Sequence, residues 1–410
     1  MRVGILSYGF SQWGGGIDFI RNMLSYLDEG ESSDPELIKI LFLPSERIIG
    51  RFKKLIHPFR ILIAQFLRRD RLAWVTAPGF STTHLKLAFG DFSASSDIVF
   101  SGSTFKSQLG LAVKLKIDIV FPCMDVPPDD FGVPWIGYLY DFQHRYFPEF
   151  FDKKEIEGRN QFFQKMLYQA KHIIVNGQAV IEDANLFYPG HTAKLHALPF
   201  SPFPQAHWLS NTLVDVRSKY DISSLYFLIS NQFWRHKDHA TAFRALAEYY
   251  ASGGQALLVC TGDTHDWRFP YYFPELMQLI KELHLEDKIK ILGHISKDEQ
   301  ISLMKNSIAV IQPTLFEGGP GGGCTYDAIS LGVPVIASDI PINREINCGD
   351  VVFFPAGDFQ SLTKLMLARE LTPFESHSSN ALLIKGLERK RLAGQALENI
   401  FTETLDSFKS

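Results

Sequence analysis

Short apolar runs of strand length alternate with helix-length segments along the whole chain. Several of these runs are apolar throughout, as strands covered on both faces are. The alternation predicts parallel, doubly wound sheets of an α/β fold. We predict strands at residues 2–7, 38–43, 97–100, 118–121, 135–140, 172–176, 226–229, 256–260, 288–292, 307–311 and 334–337. We predict helices at residues 17–27, 105–116, 154–170, 240–250, 273–283, 297–306 and 326–331.

The length of 410 residues exceeds what one hydrophobic core normally serves, so we expect two Rossmann-like domains. We place the N-terminal domain at residues 1–200, a proline-containing linker at 201–222 and the C-terminal domain at 223–375. Residues 376–410 are predicted to be a helical tail without a core stripe of its own, packing back towards the N-terminal domain. Ligands of such sheets bind beyond the carboxyl ends of the strands, so we expect a site in a central cleft that the two domains face.

Composition excludes several classes of protein. The net charge of −4 argues against a general nucleic-acid binder. The four cysteines form no C-x-x-C pair, which indicates free thiols in a reducing compartment. No apolar stretch reaches the ~20 residues that a membrane span needs, so we expect a cytoplasmic protein.

A basic stretch in the first half, residues 45–71, begins at Ser45 and ends at Arg71. It holds eight lysines and arginines against Glu46 and Asp70, interleaved with large apolar residues and interrupted by Pro58. Amphipathic basic segments bind anionic lipid interfaces. The stretch predicts peripheral docking on an anionic membrane surface; the alternative is a helix that packs on the core with a solvated basic side.

A glycine-dense turn between a predicted strand and a predicted helix carries the strongest functional signal. Bare backbone amides and a helix N-terminus can hold a diphosphate, and Glu317 and Asp327 flank the turn. Asp327 could accept hydrogen bonds from ribose hydroxyls, and Glu317 could face a transferred sugar. The residues of this candidate anion site are Gly318, Gly319, Gly321, Gly322, Gly323, Cys324 and Thr325. The alternative is a purely structural turn.

A basic segment follows the first predicted strand of the C-terminal domain. It contains Gln232, Arg235 and Lys237, together with two histidines. Cations at this position could neutralise a diphosphate. The alternative is a solvated helix start capped by Asp238.

Two segments of the N-terminal domain also follow predicted strands. The first ends in Gly15 and Gly16 and opens a helix, so it either approaches an anion or forms a tight β–α turn. The second contains His144 among aromatic residues and charges, a mixture that suits a sugar pocket. A hydrophobic loop with a capped histidine is its alternative.

These motifs resemble those of glycosyltransferase family 4, the retaining GT-B glycosyltransferases of group 1. Phe316-Glu317-Gly318 and residues 331–339 resemble the donor-site signature, and residues 234–237 resemble the basic diphosphate motif. Gly293, His294 and Ile295 are similar to the turn that holds the nucleobase. Residues 141–149 resemble the histidine segment of some members.

The chain departs from the family pattern at two places. The family has two glutamates eight positions apart, whereas Glu317 and Asp327 stand ten apart. Gln232 replaces an arginine of the basic motif, and we expect Arg235 to supply that charge.

The resemblance implies a hexosyltransferase that moves a mannose-like or glucose-like sugar from a nucleoside diphosphate to a glycan or lipid-linked glycan, with retention. Lys237, Glu317 and His144 would be its catalytic residues. The sequence contains no D-x-D triplet, so we expect no metal and no cofactor. A nucleotide-sugar epimerase and a non-catalytic nucleotide-sugar binding protein on the same fold remain open alternatives.

Overall fold

A computed structural model describes residues 1–12, 14–29, 37–45, 81–210, 214–372 and 377–409. The chain divides into two compact units. The first comprises Met1–Asn176, Val180–Pro199 and Lys390–Ser410, and the second comprises Gly177–Ala179 and Phe200–Arg389.

The first unit is built on a parallel sheet in which the described strands have the order β3-β2-β1-β4-β5-β6-β7. These strands are β1 Arg2–Leu6, β2 Ile38–Pro44, β3 Asp97–Ser101, β4 Ile119–Cys123, β5 Trp135–Leu139, β6 His172–Val175 and β7 Lys194–Ala197. Strands β4, β5 and β6 are buried along their whole length, as expected for strands covered on both faces.

The helices of the first unit lie between these strands in sequence. They are α1 Gly14–Glu29, α2 Thr82–Ala88, α3 Phe105–Lys114, α4 Gln143–Tyr146, α5 Lys153–Gln169 and α6 Gln178–Phe187. The start of α3 follows from its sequence, because Thr104 and Ser107 form a capping box that satisfies amides of the first turn.

The second unit contains a parallel sheet in which the described strands have the order β10-β9-β8-β11-β12-β13. These strands are β8 Tyr226–Ser230, β9 Leu257–Thr261, β10 Ile289–Ile291, β11 Val310–Gln312, β12 Val335–Asp339 and β13 Val351–Pro355. Its helices are α7 Val216–Lys219, α8 His239–Ala251, α9 Tyr272–Glu282, α10 Lys297–Lys305, α11 Gly322–Ser330 and α12 Phe359–Leu371.

The core of the second unit occupies both faces of its sheet. Phe227 and Ile229 belong to one buried cluster, whereas Tyr226 and Leu228 belong to another. Successive side chains of a strand point to opposite faces, so both faces of β8 are covered. The prediction of parallel, doubly wound α/β sheets is confirmed.

The last helix, α13, spans Ser379–Lys409, and its residues from Lys390 onwards belong to the first unit. Ala393, Leu397, Ile400, Phe401 and Thr404 are buried. Their spacing is that of one helical face, so the prediction of a tail without a core stripe is wrong. The stripe is hard to recognise in the sequence, because two of its members, Ala393 and Thr404, are not large apolar residues.

The predicted membrane-docking stretch lies, after Ser45, outside the described residues as far as Arg71. Within the described ranges, no helix combines the length and the apolar character needed to cross a bilayer. All four cysteines are free, as predicted.

Candidate functional site

The candidate site of the second unit lies where the order of the strands reverses. In the sheet, β8 is flanked by β9, the next strand of the chain, and by β11. The chain leaves β8 towards Lys237 and leaves β11 towards Glu317. Ligands of doubly wound sheets bind beyond the carboxyl ends of the strands at such a reversal.

Lys237 and Glu317 form an ion pair at this position. The Lys237 Nζ to Glu317 Oε1 distance is 2.5 Å, and only 12 % and 8 % of the two side chains are exposed. Gln312 Nε2 donates a second hydrogen bond to the same oxygen at 2.7 Å. A lysine ammonium has three protons, so Lys237 can hold Glu317 and still donate to an anion.

A polar network behind the ion pair fixes its geometry. Asn231 Nδ2 donates to Gln312 Oε1 at 2.5 Å, and both residues are buried at the ends of β8 and β11. The thiol of Cys324 also donates to Gln312 Oε1, at 3.2 Å. Burial raises the pKa of Cys324 to about 12, so the group is a neutral thiol. Cys324 therefore contributes through the network as a donor, and not as a thiolate.

The glycine turn needs glycine at two consecutive positions. Gly321 and Gly322 both have φ +65°, and a Cβ on Gly321 would lie 2.4 Å from that of Thr325. A Cβ on Gly322 would lie 3.1 Å from Glu317 Oε2. The Gly321 amide donates to Asn343 Oδ1 at 2.8 Å, and Asn343 is fully buried. The turn is thus anchored to the segment that follows β12.

The helix α11 begins directly after this turn. The Gly322 amide donates to the Gly319 carbonyl and the Gly321 amide to Asn343, so both amides already have an acceptor. Gly323 and Cys324 follow in the first turn of α11, where amides have no carbonyl within the helix to bind. Gly318 and Gly319 are half-buried, and Thr325 is fully buried. The amides of Gly323 and Cys324 are therefore the donors that this helix offers to an anion.

Asp327 is already held by a cation. Its carboxylate forms an ion pair with Lys297, the first residue of α10, and its side chain is 8 % exposed. The ammonium of Lys297 also lies 5.3 Å from the centre of the Trp208 ring. The carboxylate of this pair can also accept hydrogen bonds from hydroxyl groups.

The basic segment after β8 supplies fewer cations than its sequence suggests. Burial holds the pKa of His236 well below its ordinary value and lowers that of His239 to about 3, so both imidazoles are neutral. Lys237 and Arg235 therefore carry the positive charge. Arg235 is exposed and its guanidinium lies 5.0 Å from the centre of the Phe269 ring, while Gln232 is exposed. Asp238 caps α8, as the alternative reading of this segment expected.

The turn after β10 is open. Gly293 has φ +67° and a Cβ there would meet nothing within 4 Å. Its carbonyl accepts a hydrogen bond from the Gly262 amide at 2.9 Å, which joins the ends of β9 and β10. His294 is exposed and Ile295 half-buried. This backbone has room for a flat group beside it.

His144 lies in the first unit, in the short helix α4 after β5, and is 1 % exposed. Asn160 Oδ1 accepts hydrogen bonds from the side chains of Arg145 and Tyr188. His144 Nε2 lies 3.0 Å from the same oxygen. An atom with two certain donors is an acceptor, so His144 Nε2 carries the proton. Burial lowers the pKa of His144 to about 4. The ring is neutral, and among the described residues its Nδ1 lone pair has no hydrogen-bond donor.

Gly15 and Gly16 lie in the first turn of α1. Gly15 is exposed and Gly16 is buried. A Cβ on Gly16 would lie 2.3 Å from the carbonyl oxygen of Phe10. Close packing of the turn therefore explains the glycine at position 16.

Four residues of the candidate site escaped the sequence analysis: Asn231, Lys297, Gln312 and Asn343. Asn231 follows β8 and Gln312 ends β11, and a polar residue at the end of an apolar run was their signal. The sequence holds no comparable signal for Lys297 and Asn343, because only the tertiary fold brings them to Asp327 and Gly321.

Comparisons with known proteins show what the chain is similar to. Residues 217–373 match the family model of glycosyl transferases group 1. The O-antigen chain mannosyltransferase RfbU of Salmonella typhimurium is 28 % identical over 136 residues, which are 33 % of this chain and 36 % of that protein. The matched part thus spans about a third of the relative's length.

Solved structures share the fold over the whole chain. A complex of HepE from Anabaena with UDP and glucose has a TM-score of 0.57 at 14 % identity, covering 100 % of this chain and 99 % of that one. Sucrose-phosphate synthase from Thermosynechococcus elongatus has a TM-score of 0.57 at 13 % identity, covering 100 % and 98 %. At such identities the likeness shows the GT-B fold. Together with the match of residues 217–373 to the family model, it confirms the resemblance to group 1 glycosyltransferases.

Proposed function

We propose that this protein is a retaining glycosyltransferase that moves a hexose from a nucleoside diphosphate to a glycan or lipid-linked glycan. The observation that carries the proposal is the Lys237–Glu317 ion pair, which lies where the strand order reverses and beside the N-terminus of α11. The Lys237 ammonium and the backbone amides at the start of α11 are hydrogen-bond donors that would stabilise an anion at this position.

The diphosphate would bind between the cations and the start of α11. Lys237 would donate its remaining protons to it, Arg235 would approach from the exposed side, and the amides of Gly323 and Cys324 would complete the contacts. Asp327, paired with Lys297, would accept hydrogen bonds from the ribose hydroxyls. The open backbone of Gly293, with His294 and Ile295, would lie against the nucleobase.

In the transfer step the bond between the anomeric carbon and the phosphate oxygen breaks, and its electron pair stays on the diphosphate. The acceptor hydroxyl attacks the same face of the sugar and gives its proton to the leaving phosphate. Lys237 would stabilise the charge that develops on that phosphate. Glu317 would face the sugar and support its positive character, and the neutral His144 would accept a hydrogen bond from a sugar hydroxyl through Nδ1.

The hexose and the acceptor are proposed from the relatives. One of them is named as a mannosyltransferase of the O-antigen chain, and another was solved with UDP and glucose. Both involve a hexose, and the first involves a glycan. We further propose that the protein docks on an anionic membrane through residues 45–71, where a lipid-linked acceptor would be found.

Binding and turnover with a panel of UDP-, GDP-, ADP- and dTDP-hexoses test the proposal. We expect one donor to raise the melting temperature of the full chain by mass action, and Lys237→Ala to abolish the shift. The same donor should give a glycoside with the donor's anomeric configuration when an acceptor glycan is added. Conversion of the donor without any acceptor would indicate an epimerase, and binding without conversion would indicate a non-catalytic protein.

A further inference from the structure

Two histidines of the first unit lie side by side at the edge of its described sheet. His172 begins β6, and its partner across the ladder is Lys194 of β7. His196 lies two residues after Lys194, so its side chain is on the same face of the sheet as that of His172. The two ring nitrogens, His172 Nδ1 and His196 Nε2, are 2.9 Å apart.

The helix α13 covers this pair. Ser407 Oγ donates to the Thr404 carbonyl at 2.8 Å, so it receives the hydrogen bond at 3.1 Å from His172 Nε2. His172 therefore carries its proton on Nε2, and its Nδ1 is a lone pair. The proton between the two rings then belongs to His196 Nε2. The two imidazoles thus bring one nitrogen each within hydrogen-bond distance of the other.

Glu403 supplies a carboxylate oxygen close to the two ring nitrogens. One carboxylate oxygen of Glu403 and one nitrogen of each ring all lie within 4.8 Å of one another. Glu403 is exposed and is paired with Lys194 at 2.5 Å. Since Lys194 is itself largely exposed, it can turn to solvent at little cost when the carboxylate takes another partner.

Two imidazole nitrogens and one carboxylate oxygen form a zinc ligand set. Zinc bonds of about 2.0–2.2 Å place the donor atoms of a tetrahedral site about 3.4 Å apart. The ring nitrogens need to separate by only a few tenths of an ångström, and the exposed Glu403 side chain can move closer. The ring of His172 is oriented by its bond to Ser407, as metal-bound histidines generally are by a second partner.

We propose that His172, His196 and Glu403 bind a divalent transition metal of the zinc class, with water as the fourth ligand. When the ion binds Nε2 of His196, the proton on that nitrogen leaves to solvent and Nδ1 takes up a proton from solvent, so the ring stays neutral. The site joins β6 and β7 to α13 and so fastens the C-terminal helix within the first unit. It adds a metal site to the proposed transferase without a part in the transfer step.

Zinc binding to the full chain after treatment with EDTA tests the proposal. We expect one zinc per chain in competition with a chromophoric chelator, an increase in melting temperature, and visible absorption typical of four-coordinate cobalt when Co²⁺ is used instead. His172→Gln and His196→Gln should each weaken zinc binding at least ~100-fold, because each removes one of three protein ligands.

His191→Gln is the matched control, because His191 lies in the same unit and bonds to Asn185 outside the cluster. This variant should bind zinc as the unaltered chain does. Circular dichroism of each variant establishes that it is folded. Unchanged zinc affinity and stoichiometry in a folded chain carrying both His172→Gln and His196→Gln would overturn the proposal, as would loss of binding in His191→Gln alone.

Discussion

The ammonium of Lys237 lies 2.5 Å from the carboxylate of Glu317, with 12 % and 8 % of the two side chains exposed. Removing one member of such a pair leaves the other charge buried without compensation. We expect Lys237→Ala and Glu317→Gln each to lower kcat at least ~100-fold, the usual scale for a preorganised charge. Lys237→Ala should also lower the free energy of unfolding by about 3 kcal/mol.

The combined variant Lys237→Met, Glu317→Gln separates the two effects. It removes both charges together, so most of the lost stability should return while turnover stays low. Urea unfolding and steady-state kinetics on the same preparations measure both. Turnover near that of the unaltered chain in folded Lys237→Ala would contradict the assignment of the diphosphate site.

The glycine turn predicts a contrast between neighbouring positions. Gly322→Ala should lower the free energy of unfolding by about 1–2 kcal/mol, because φ is +65° and the new methyl group approaches Glu317. Gly323→Ala is the matched control: its Cβ would meet nothing within 4 Å, and alanine stabilises a helix by about 0.5–1 kcal/mol relative to glycine. Equal stability of the two variants would mean that the turn does not require glycine at position 322.

Buried His239 predicts a specific dependence of stability on pH. Its ring stacks on Phe233 with centroids 4.2 Å apart, and burial lowers its pKa to about 3. The unfolded chain binds a proton at about pH 6.5, which the folded chain does not, so stability falls as the pH is lowered from about 6.5 to about 3. Between pH 7 and pH 5 the loss from this group is about 2 kcal/mol.

His239→Phe should remove that loss and keep the stacking on Phe233. Urea unfolding at the two pH values measures the difference, and His84→Phe, at an exposed position, is the control. If His239→Phe loses as much stability between pH 7 and pH 5 as the unaltered chain, His239 does not bind a proton on unfolding.

Removal of metal ions by EDTA should lower the melting temperature and leave turnover largely unchanged. The proposed diphosphate site uses lysine, arginine and backbone amides, so EDTA should leave kcat within about twofold at temperatures where the protein is folded. The melting temperature of the zinc-loaded protein should fall on chelation, because His172, His196 and Glu403 lose their ion. Complete loss of turnover in EDTA, restored by manganese or magnesium, would show that the transfer step needs a metal.

The basic stretch at residues 45–71 predicts binding to anionic liposomes that weakens with salt. Each basic residue near the surface contributes about 1 kcal/mol, so Lys53→Gln with Lys54→Gln should reduce co-sedimentation clearly. The same change at Lys153 and Lys154, an exposed pair at the start of α5, should not. Equal recovery in the supernatant with neutral and anionic liposomes at low salt would point to a soluble acceptor.

The sequence predicted those parts of the fold that local pattern determines. Strands such as Tyr226–Ser230 were found because they are apolar on both faces. The strand Lys194–Ala197 was missed, because it lies at the edge of the described sheet and its lysine and histidine alternate with leucine and alanine. Val351–Pro355 was missed too, although it is largely apolar.

In the candidate site, too, the residues of local sequence motifs were predictable and their tertiary partners were not. Glu317, Lys237 and the glycines stand in contiguous motifs, so their proximity followed from the expected sheet. The partners Lys297 and Asn343 come from the crossover before β11 and the segment after β12, and only tertiary contacts bring them to Asp327 and Gly321. The neutrality of His236 and His239 follows from their burial, which the sequence does not reveal.

The buried Asn343 has a consequence for how this loop can evolve. It fixes the start of α11 through Gly321, while Lys237 and Gln312 fix Glu317 independently. The acid and the helix therefore keep their places without depending on the number of residues that join them. A change of loop length between the two anchors would displace neither of them, which accommodates a spacing of ten residues between Glu317 and Asp327 where the family pattern has eight. The loop can therefore tolerate a different length without moving the charged pair.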